Sequence, residues 1–527
     1  MWTYFEDIGN LGVVRDAPPE LLAPGVWTDA RNMRFQDNKI KRMAGTRNVF
    51  NNVANVEPYW LVSVVGPEGT AWVYPGLNEV GARIGTQQAK IHKEGGYTGG
   101  KQDKWNGGVL GGIVILNNGV DVPQFWRRIR PQTKLRDLTD WPENVRARVL
   151  RVFGNFLVAL YLTVDGQKQP HKVRWSHPAD PGTPPVSWDV TDATRDAGEF
   201  ELNDEEAGVL VDAVPLGDAL MLYKEYSTWD MALSGTSSIF NISKVFSSSG
   251  LLAQNCVQPF QGQDQTEWHF VATSEDLIVH NGQEATSIAT KTLRRWLERT
   301  IDPQFYKNSF CVRNTQEQEL WFCFPEAGEE LASLAVVWNW VDSTISYKEL
   351  DNVAYATSGI IDETFSTDWD DLVGDWNSQA RTFNQVLRPP HSQKVIQAEP
   401  LRSQITVQEE RDRFGMKEYD SWVERRGLGV AGMNRQGGIS SNRDSRKLVT
   451  RQRITAEGAP FEVQVGAQDV PEGPLTWAEP QTFVPGTTEY LDWAVGGKLL
   501  AVRFQSRGRM PWEVKAHALD IHLTGEF

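Results

Sequence analysis

Cysteine is scarce in this sequence, and its cysteines show no pairing pattern. Cys256, Cys311 and Cys323 are an odd set within 527 residues and lack the Cys-x-x-Cys spacing of zinc or redox sites. The cysteines therefore do not indicate a disulfide framework, and we expect the chain to mature in a reducing cytoplasm. The 8 histidines are scattered without an H-E-x-x-H pair, so we predict no metal site and no cofactor.

Long apolar runs and an excess of basic charge are also missing. The longest apolar stretches, such as residues 153–164, are too short to span a membrane, and the first ten residues carry acidic residues where a signal peptide needs basic ones. We therefore expect no membrane partner and no export. With 53 Lys+Arg against 68 Asp+Glu, the formal net charge of −15 disfavours binding to nucleic-acid phosphates.

The sequence also lacks the motifs of common enzymes. Gly95 to Gln102 resembles a phosphate-binding loop but ends in Gln102, where Ser or Thr must hold magnesium. No G-x-S-x-G elbow surrounds a serine. An acidic cluster late in the chain lacks the spacing of a calcium loop and is better interpreted as a solvated loop. Its members are Asp368, Asp370, Asp371 and Asp375. We predict that the protein is not an enzyme.

Aromatic and turn-forming residues are abundant by contrast. The chain has 21 Trp, 45 Gly and 27 Pro, and from Tyr59 to Leu350 short β-branched and aromatic runs alternate with Gly, Pro, Asn or Asp. This pattern predicts many short antiparallel strands, arranged as a sandwich or as the blades of a β-propeller of undetermined blade number. The one good helix candidate is residues 289–302, with Leu293, Trp296 and Leu297 on one face.

The stretch "PGVWTDARNMRFQDNKIKRMAG", residues 24–45, alternates with a period of two on both sides of a polar turn. Met33, Phe35 and Ile40 fall on one face, and basic residues fall on the other. Asp37 and Asn38 tolerate the positive backbone torsions of a tight turn. The pattern predicts a half-buried β-hairpin.

We divide the chain into four regions by its texture. Residues 1–55 form an N-terminal platform hairpin region, and residues 56–365 form the β-propeller. Residues 366–442 are charged or rich in Gly, Asn and Ser and are interpreted as connecting loops. Residues 443–527 alternate again and predict a C-terminal β-sandwich-like platform region.

Four motifs in order resemble the tail nozzle proteins of short-tailed bacteriophages, the group related to tail tubular protein B. They are the opening hairpin, "KVRWSHPADP" with Trp175, "VVWNWVDSTISYKEL" with Trp338 and Trp340, and the closing strands from residue 497 onward. The hairpin residues that carry the resemblance are Trp27, Arg31, Asn32, Arg34 and Phe35.

The resemblance implies an all-β fold, a β-propeller with a β-rich platform or sandwich formed from the N- and C-terminal regions. It further implies a structural protein of the virion tail, assembled in the host cytoplasm as a homo-hexamer. Its acidic channel would retain and then conduct genomic DNA without binding it specifically, and the channel-lining residues stay unknown. The five hairpin residues would dock on the tail adaptor or tubular proteins, and tail fibres or spikes are further candidate partners. Trp175, Trp338 and Trp340 would belong to the propeller core.

Two other function classes stay open at this point. A receptor- or glycan-binding β-propeller on the virion tail would suit the many Trp side chains, because aromatic rings stack on sugars. A glycan-cleaving enzyme would need two carboxylates facing each other in a cleft. The charged segments "LRRWLERT" and "QEERDRFG" are candidate subunit contacts, although a solvated charged face is the favoured interpretation.

Overall fold

A computed structural model describes most of the chain and shows two β-rich bodies, a propeller and a platform. The described residues are 1–49, 53–66, 69–85, 87–127, 129–235, 238–361, 393–411, 419–433, 439–471, 473–508 and 510–525. The predicted fold class, an all-β propeller with a platform built from both ends of the chain, is confirmed. The acidic cluster Asp368 to Asp375 lies outside the described residues.

Five short strands precede the first blade. They are β1 (Trp2–Phe5), β2 (Asp29–Arg31), β3 (Met33–Gln36), β4 (Lys39–Arg42) and β5 (Gly45–Asn48). The predicted hairpin is β3 and β4, with Gln36 paired to Lys39. Its turn residues Asp37 and Asn38 have φ of 52° and 58°, as a tight two-residue hairpin requires.

Within the described residues, seven four-stranded antiparallel sheets follow one another as blades of the propeller. Blade 1 contains β6 (Val62–Gly66), β7 (Gly69–Pro75), β8 (Val80–Ile84) and β9 (Gln87–Lys90); blade 2 contains β10 (Asn106–Leu110), β11 (Ile113–Asn117), β12 (Gln124–Trp126) and β13 (Arg136–Asp137); blade 3 contains β14 (Val145–Phe153), β15 (Phe156–Val164), β16 (Gln167–Trp175) and β17 (Gly198–Glu201).

The next three blades repeat this arrangement. Blade 4 contains β18 (Leu210–Leu216), β19 (Ala219–Lys224), β20 (Thr228–Leu233) and β21 (Phe240–Phe246); blade 5 contains β22 (Val257–Gln261), β23 (Glu267–Ala272), β24 (Leu277–His280) and β25 (Ala285–Ser287); blade 6 contains β26 (Phe310–Asn314), β27 (Glu319–Phe324), β28 (Ala332–Asn339) and β29 (Ile345–Val353).

Blade 7 closes the ring with strands from distant parts of the chain. It contains β30 (Tyr355–Gly359), β31 (Lys394–Glu399) and β32 (Gln404–Arg411), and its outer strand is the N-terminal β5. The register pairs Thr406 with Asn48 and Val407 with Arg47. The start of the chain therefore locks the last blade by supplying its outer strand, and the closed ring protects the short inner edges of the blades.

The propeller has two distinguishable ends. The chain passes from one blade to the next at the end where each inner strand begins, which we call the crossover face. The loops between the first and second and between the third and fourth strands of each blade lie at the other end, which we call the hairpin face. Apolar residues of neighbouring blades pack in continuous layers, as in blades 1 and 2 around Val73 and Val114.

Two six-stranded sheets form the platform. Its C-terminal strands are β33 (Ser421–Leu428), β34 (Val430–Met433), β35 (Ile439–Ser441), β36 (Arg446–Gly458), β37 (Phe461–Gln468), β38 (Thr476–Trp477), β39 (Gln481–Phe483), β40 (Leu491–Gly497), β41 (Leu499–Ser506) and β42 (Trp512–Gly525). One sheet joins β1, β3, β4, β36, β40 and β42, and the other joins β2, β33, β37, β38, β39 and β41; β34 and β35 pair separately. The apolar faces of both sheets contribute to one core with blades 4 to 6.

Helix is limited to one α-helix in the described part of the chain. Helix α1 (Lys291–Thr300) begins at Thr290, whose hydroxyl accepts the Leu293 amide, and it buries Leu293 and Leu297 as the sequence predicts. With ten residues, it is too short to cross a bilayer, and no other described helix could do so. Short 3₁₀ turns are Pro19–Leu21, Glu205–Ala207, Tyr306–Asn308 and Pro400–Arg402.

The predicted region boundaries need correction. Residues 366–442 were interpreted as connecting loops, but they contain β31 and β32 of blade 7 and β33 of the platform. Gly45–Asn48, assigned to the platform, belongs to the propeller. The error arises because polar side chains on these strands find partners inside the protein: Glu424 on β33, for example, accepts hydrogen bonds from Arg503 and Arg426.

Candidate functional site

The opening hairpin lies at the junction between the platform and blade 6. Arg34 on β3 donates through Nε to Glu319 Oε1 at 2.5 Å and through Nη2 to Glu319 Oε2 at 3.0 Å. Both side chains are buried, and Glu317 lies 3.4 Å from the same guanidinium. Two parallel charge-assisted hydrogen bonds make this a geometrically specific contact between the two bodies.

Asn32 forms a second contact at the same junction. It has φ of 58°, a left-handed conformation that Asn adopts more readily than most residues. Its amide donates to Glu349 Oε2 and to the Asp420 carbonyl, both at 2.8 Å, and its oxygen accepts the Glu349 amide at 2.9 Å. Arg31 pairs with the other oxygen of Glu349 at 2.6 Å.

Trp27 and Phe35 are buried on the platform side. The Trp27 indole donates to the Ile8 carbonyl at 2.7 Å and lies 5.9 Å from the Phe504 ring. The Phe35 carbonyl accepts the Thr344 hydroxyl at 2.7 Å. Strand β3 is buried on both faces, because blade 6 covers Arg34, whereas β4 is half-buried as predicted, with Ile40 inside and Lys41 exposed.

The expectation that these hairpin residues dock on a tail adaptor is therefore corrected. Trp27, Asn32, Arg34 and Phe35 are buried inside their own chain, and only Arg31 is partly exposed. The other four are therefore not accessible to a partner in the folded chain. The resemblance motif is a structural joint of the fold.

The three tryptophans of the propeller motif lie in the layers between blades. Trp175 is buried between blades 3 and 4 and contacts Phe240 edge-on at 5.3 Å. Trp338 stacks on Phe270 at 6.0 Å, which joins blade 6 to blade 5. Trp340 is partly buried, 5.6 Å from Phe260.

A groove runs along the joint between platform and blade 6. Two cavities of about 400 and 450 Å³ adjoin there and share Arg31, Glu326 and Trp422, which define what we call the junction groove. Four further carboxylates line the first cavity or its rim, and two line the second. They are Glu329, Glu349, Asp351 and Asp420, and Asp16 and Asp29. The half-buried indoles of Trp296 and Trp422 form apolar walls.

The axis of the propeller holds a small cavity that is partly open to solvent. Inner strands of six blades line a cavity of about 280 Å³, in which Arg151 binds Asp212 through two hydrogen bonds of 2.7 and 2.8 Å. This volume holds about nine waters at 30 Å³ each. The major groove of DNA alone is about 12 Å wide, so a duplex cannot pass along this axis.

Contacts across the crossover face bridge blades on either side of the same axis. Lys104, just before blade 2, donates to Asn308 of blade 6 at 2.5 Å, and Lys101 pairs with Glu330 at 2.8 Å. Burial lowers the pKa of Lys104 to about 8. These bonds connect blades on different sides of the ring.

A buried hydrogen-bond chain between blades 4 and 5 was not foreseen from the sequence. The Tyr223 hydroxyl lies 2.6 Å from His269 Nδ1 and 2.7 Å from His280 Nε2. His269 Nε2 reaches the Pro215 carbonyl and His280 Nδ1 accepts the Gly282 amide, so the donors run in one direction from Gly282 to Pro215. Every ring nitrogen has a partner with both imidazoles neutral.

Burial lowers the pKa of His269 to about 4 and that of His280 to about 3, so both are neutral at physiological pH. The two histidines are eleven positions apart, and this spacing did not predict that they are in contact. They come together because β23 pairs with β24. In the described residues, no group of three or more His, Cys, Asp or Glu side chains is placed to hold a metal. The three cysteines are free and buried.

Charge is divided unequally between the two bodies. Residues 1–44 and 419–527, which contain the platform strands, have 19 Lys+Arg and 19 Asp+Glu. Residues 45–418 have 34 Lys+Arg and 49 Asp+Glu, so the whole net charge of −15 lies in the propeller part of the chain. The platform part is neutral.

Comparisons with known proteins give no family for this chain: no family model and no curated protein matches it. Among solved structures, it is similar to the extracellular domain of a one-component system from B. thetaiotaomicron, with a TM-score of 0.36 and 6% sequence identity. The match covers 90% of this chain and 58% of that one. A likeness at this level carries no argument about function, and the fold rests on the strand pairing described above.

Proposed function

We propose that this chain is a structural protein of the virion, the tail nozzle at the distal end of a short phage tail. Six copies form a ring whose acidic channel retains the genome and conducts it during ejection. The proposal starts from the motif resemblance. The observation that carries it is the division of charge, because a neutral platform suits attachment to other proteins and a propeller of net charge −15 suits a wall that repels phosphates.

The narrow propeller axis adds a constraint. Because the axial cavity has only about 280 Å³, the DNA path runs between subunits rather than through a propeller. Acidic residues of the propellers then face the path, and repulsion is felt within a Debye length, about 8 Å at physiological salt. DNA slides along such a wall without being held.

Attachment to the tail uses an exposed face of the platform in this proposal, since the hairpin is buried. The outer face of the sheet with β1, β36 and β40 carries Arg453 over the Trp2 ring at 5.2 Å and Arg451 over the exposed Tyr490 ring at 4.6 Å. Aromatic and arginine side chains of this kind are enriched at protein interfaces.

Antibody-gold labelling of purified particles, viewed by electron microscopy, tests this function. Label confined to the distal end of the tail supports the nozzle, with an antibody against the head protein as a control for access. Label on lateral spikes contradicts it and favours receptor binding. Absence of label from intact particles, with the chain present only in the unassembled fraction, contradicts a virion role.

Receptor or glycan binding is the second candidate, and the junction groove favours it. The groove combines the half-buried indoles of Trp296 and Trp422 with carboxylates such as Asp29 and Glu326. Indole faces and carboxylates are the groups that hold sugars, by stacking and by accepting hydroxyl hydrogen bonds. A glycan array with wild type and Trp422→Ala decides this candidate: binding lost only in the variant supports it, and no binding by wild type contradicts it.

A further inference from the structure

Blade 2 carries an exposed basic loop that none of the functions above uses. Residues 127–136 contain five basic residues and no acidic residue. The loop connects β12 to β13 on the hairpin face, and Arg130, Lys134 and Arg136 are exposed there. Within the described part of the chain these three form no ion pair, and Lys134 donates only to the Lys90 carbonyl. We call Arg130, Lys134 and Arg136 the basic patch.

Blades 4 and 5 have the opposite character. Residues 209–289, which contain blades 4 and 5, have nine Asp+Glu and two Lys+Arg. Residues 53–141, which contain blades 1 and 2, have eight Asp+Glu and ten Lys+Arg. Both lysines, Lys224 and Lys244, lie toward the crossover face beside Asp204.

All charged residues in the hairpin-face loops of blades 4 and 5 are therefore acidic. Asp218, Glu267 and Glu284 are exposed there and form no ion pair with any described residue. We call these three the acidic patch. Leu233, at the end of β20 on the same face, is also exposed and offers an apolar side chain to a partner.

The two patches lie on the same face of the propeller, on nearly opposite sides. Blade 2 lies three steps from blade 5 and two from blade 4 in a ring of seven; the platform contacts blade 6 through β29, and the residues of both patches stay exposed. We propose that the basic patch of one copy docks on the acidic patch of a second copy. Because the two patches differ, the contact is head-to-tail and generates a closed ring when the rotation between copies closes.

This inference deepens the proposed function, on which it rests, by naming the surfaces that join neighbouring subunits. Charge complementarity favours a second copy of this chain as the partner of the basic patch. Its acidic patch supplies carboxylates without ion-pair partners on the same face of the propeller. A nucleic-acid backbone is the competing occupant of a basic loop. It is disfavoured because the neighbouring surfaces of a chain with net charge −15 repel it.

Charge reversal tests the contact. One variant carries R130E, K134E and R136E, and a second carries D218K, E267K and E284K. A control with the same change in charge as the first carries K168E, K291E and K307E, which are exposed lysines away from both patches. Oligomeric state is measured by sedimentation and native mass spectrometry at physiological salt and at 1 M NaCl, and folding is checked by circular dichroism.

We expect wild type and the control to form the same ring and each reversed variant alone to be monomeric, with association weakened at least tenfold. A 1:1 mixture of the two reversed variants restores the ring, since every contact in an alternating ring again joins opposite charges. This rescue excludes misfolding as the cause of the loss. High salt weakens the wild-type ring.

Three results overturn the inference. Rings formed by both reversed variants as readily as by wild type place the subunit contact elsewhere and leave the proposed nozzle intact. Loss in the first variant without rescue by mixing, together with lost binding of a labelled DNA duplex, assigns the basic patch to nucleic acid. A wild-type chain that stays monomeric at every concentration refutes self-association through these patches, while the labelling of particles still decides the nozzle itself.

Discussion

Arg34 and Glu319, 285 positions apart, form a buried bidentate ion pair that joins the platform to blade 6. Each would be a costly buried charge without the other. The pair explains why Arg34, a basic residue on the polar side of the opening hairpin, is buried instead of facing solvent. It is one of several contacts that fix the relative position of the two bodies, and it can be tested by substitution.

Replacing Arg34 with Ala should destabilise the protein by about 3–5 kcal/mol, because Glu319 is left buried without a counter-charge. Urea unfolding followed by Trp fluorescence measures the change. Glu317→Gln is the matched control: Glu317 is more exposed and lies farther from the guanidinium, so its loss should cost less than about 1 kcal/mol. Equal effects of the two substitutions would contradict the assignment of the joint to Arg34 and Glu319.

Acid should weaken the folded state through its buried histidines. Burial lowers the pKa of His269 to about 4 and the pKa values of His280 and His517 to about 3. The unfolded chain binds these protons near pH 6.5, so the three histidines leave the unfolding free energy unchanged above pH 6.5 and lower it progressively as the pH drops toward 4.

His517→Phe isolates one of these contributions. The ring stacks on Phe5 at 4.6 Å in an apolar site, so Phe can replace it. The slope of unfolding free energy against pH should decrease by up to about 1.4 kcal/mol per pH unit between pH 6.5 and 4. Unfolding titrations at half-unit intervals measure it, and superimposable slopes for wild type and variant would refute the prediction.

Gly198 should tolerate no side chain, because a Cβ there would lie 2.4 Å from the rigid Trp175 ring. We expect Gly198→Ala to cost about 1–3 kcal/mol by displacing Trp175 from the layer between blades 3 and 4. Gly100→Ala is the control, since its nearest neighbour would be Asp103 at 3.8 Å. Thermal unfolding of both variants checks this, and an unchanged midpoint for Gly198→Ala would show that the layer is not tightly packed there.

Arg451→Ala combined with Arg453→Ala should reduce incorporation into particles by at least fivefold while the isolated protein stays folded. Arg451 lies on the exposed Tyr490 ring and Arg453 on the half-buried Trp2 ring of the outer platform face. Quantitative immunoblotting of purified particles measures incorporation. Trp27→Phe, a buried change, serves as the control and should leave incorporation near wild type; the reverse outcome would return the docking role to the opening hairpin.

The sequence predicted the parts of the structure that depend on local patterns. The β3–β4 hairpin with its Asp37-Asn38 turn, helix α1 with Leu293 and Leu297 inward, and the all-β fold follow from periodicity and turn chemistry. The burial of Arg34 does not, because its partner lies on another body of the protein. The blade 7 strands were missed for the same reason, since β32 pairs with β5 from the start of the chain.

The candidate site was less predictable than the fold. Trp27 and Phe35 were recognised as important residues, but sequence alone did not distinguish a joint within the chain from a surface for a partner. The sequence does show five basic residues among the ten residues 127–136. It does not show that this loop and the acidic patch lie on the same face of the propeller, which depends on the arrangement of the blades. Charge summed over the whole chain concealed this division.

The most direct test of the account is the symmetry of the assembled protein, measured by electron microscopy of the purified assembly with rotational averaging. The account predicts a six-fold ring in which propellers surround a central channel and each propeller axis is too narrow for a DNA duplex. A three-fold or asymmetric particle, or an open path through the propeller axis itself, would contradict it.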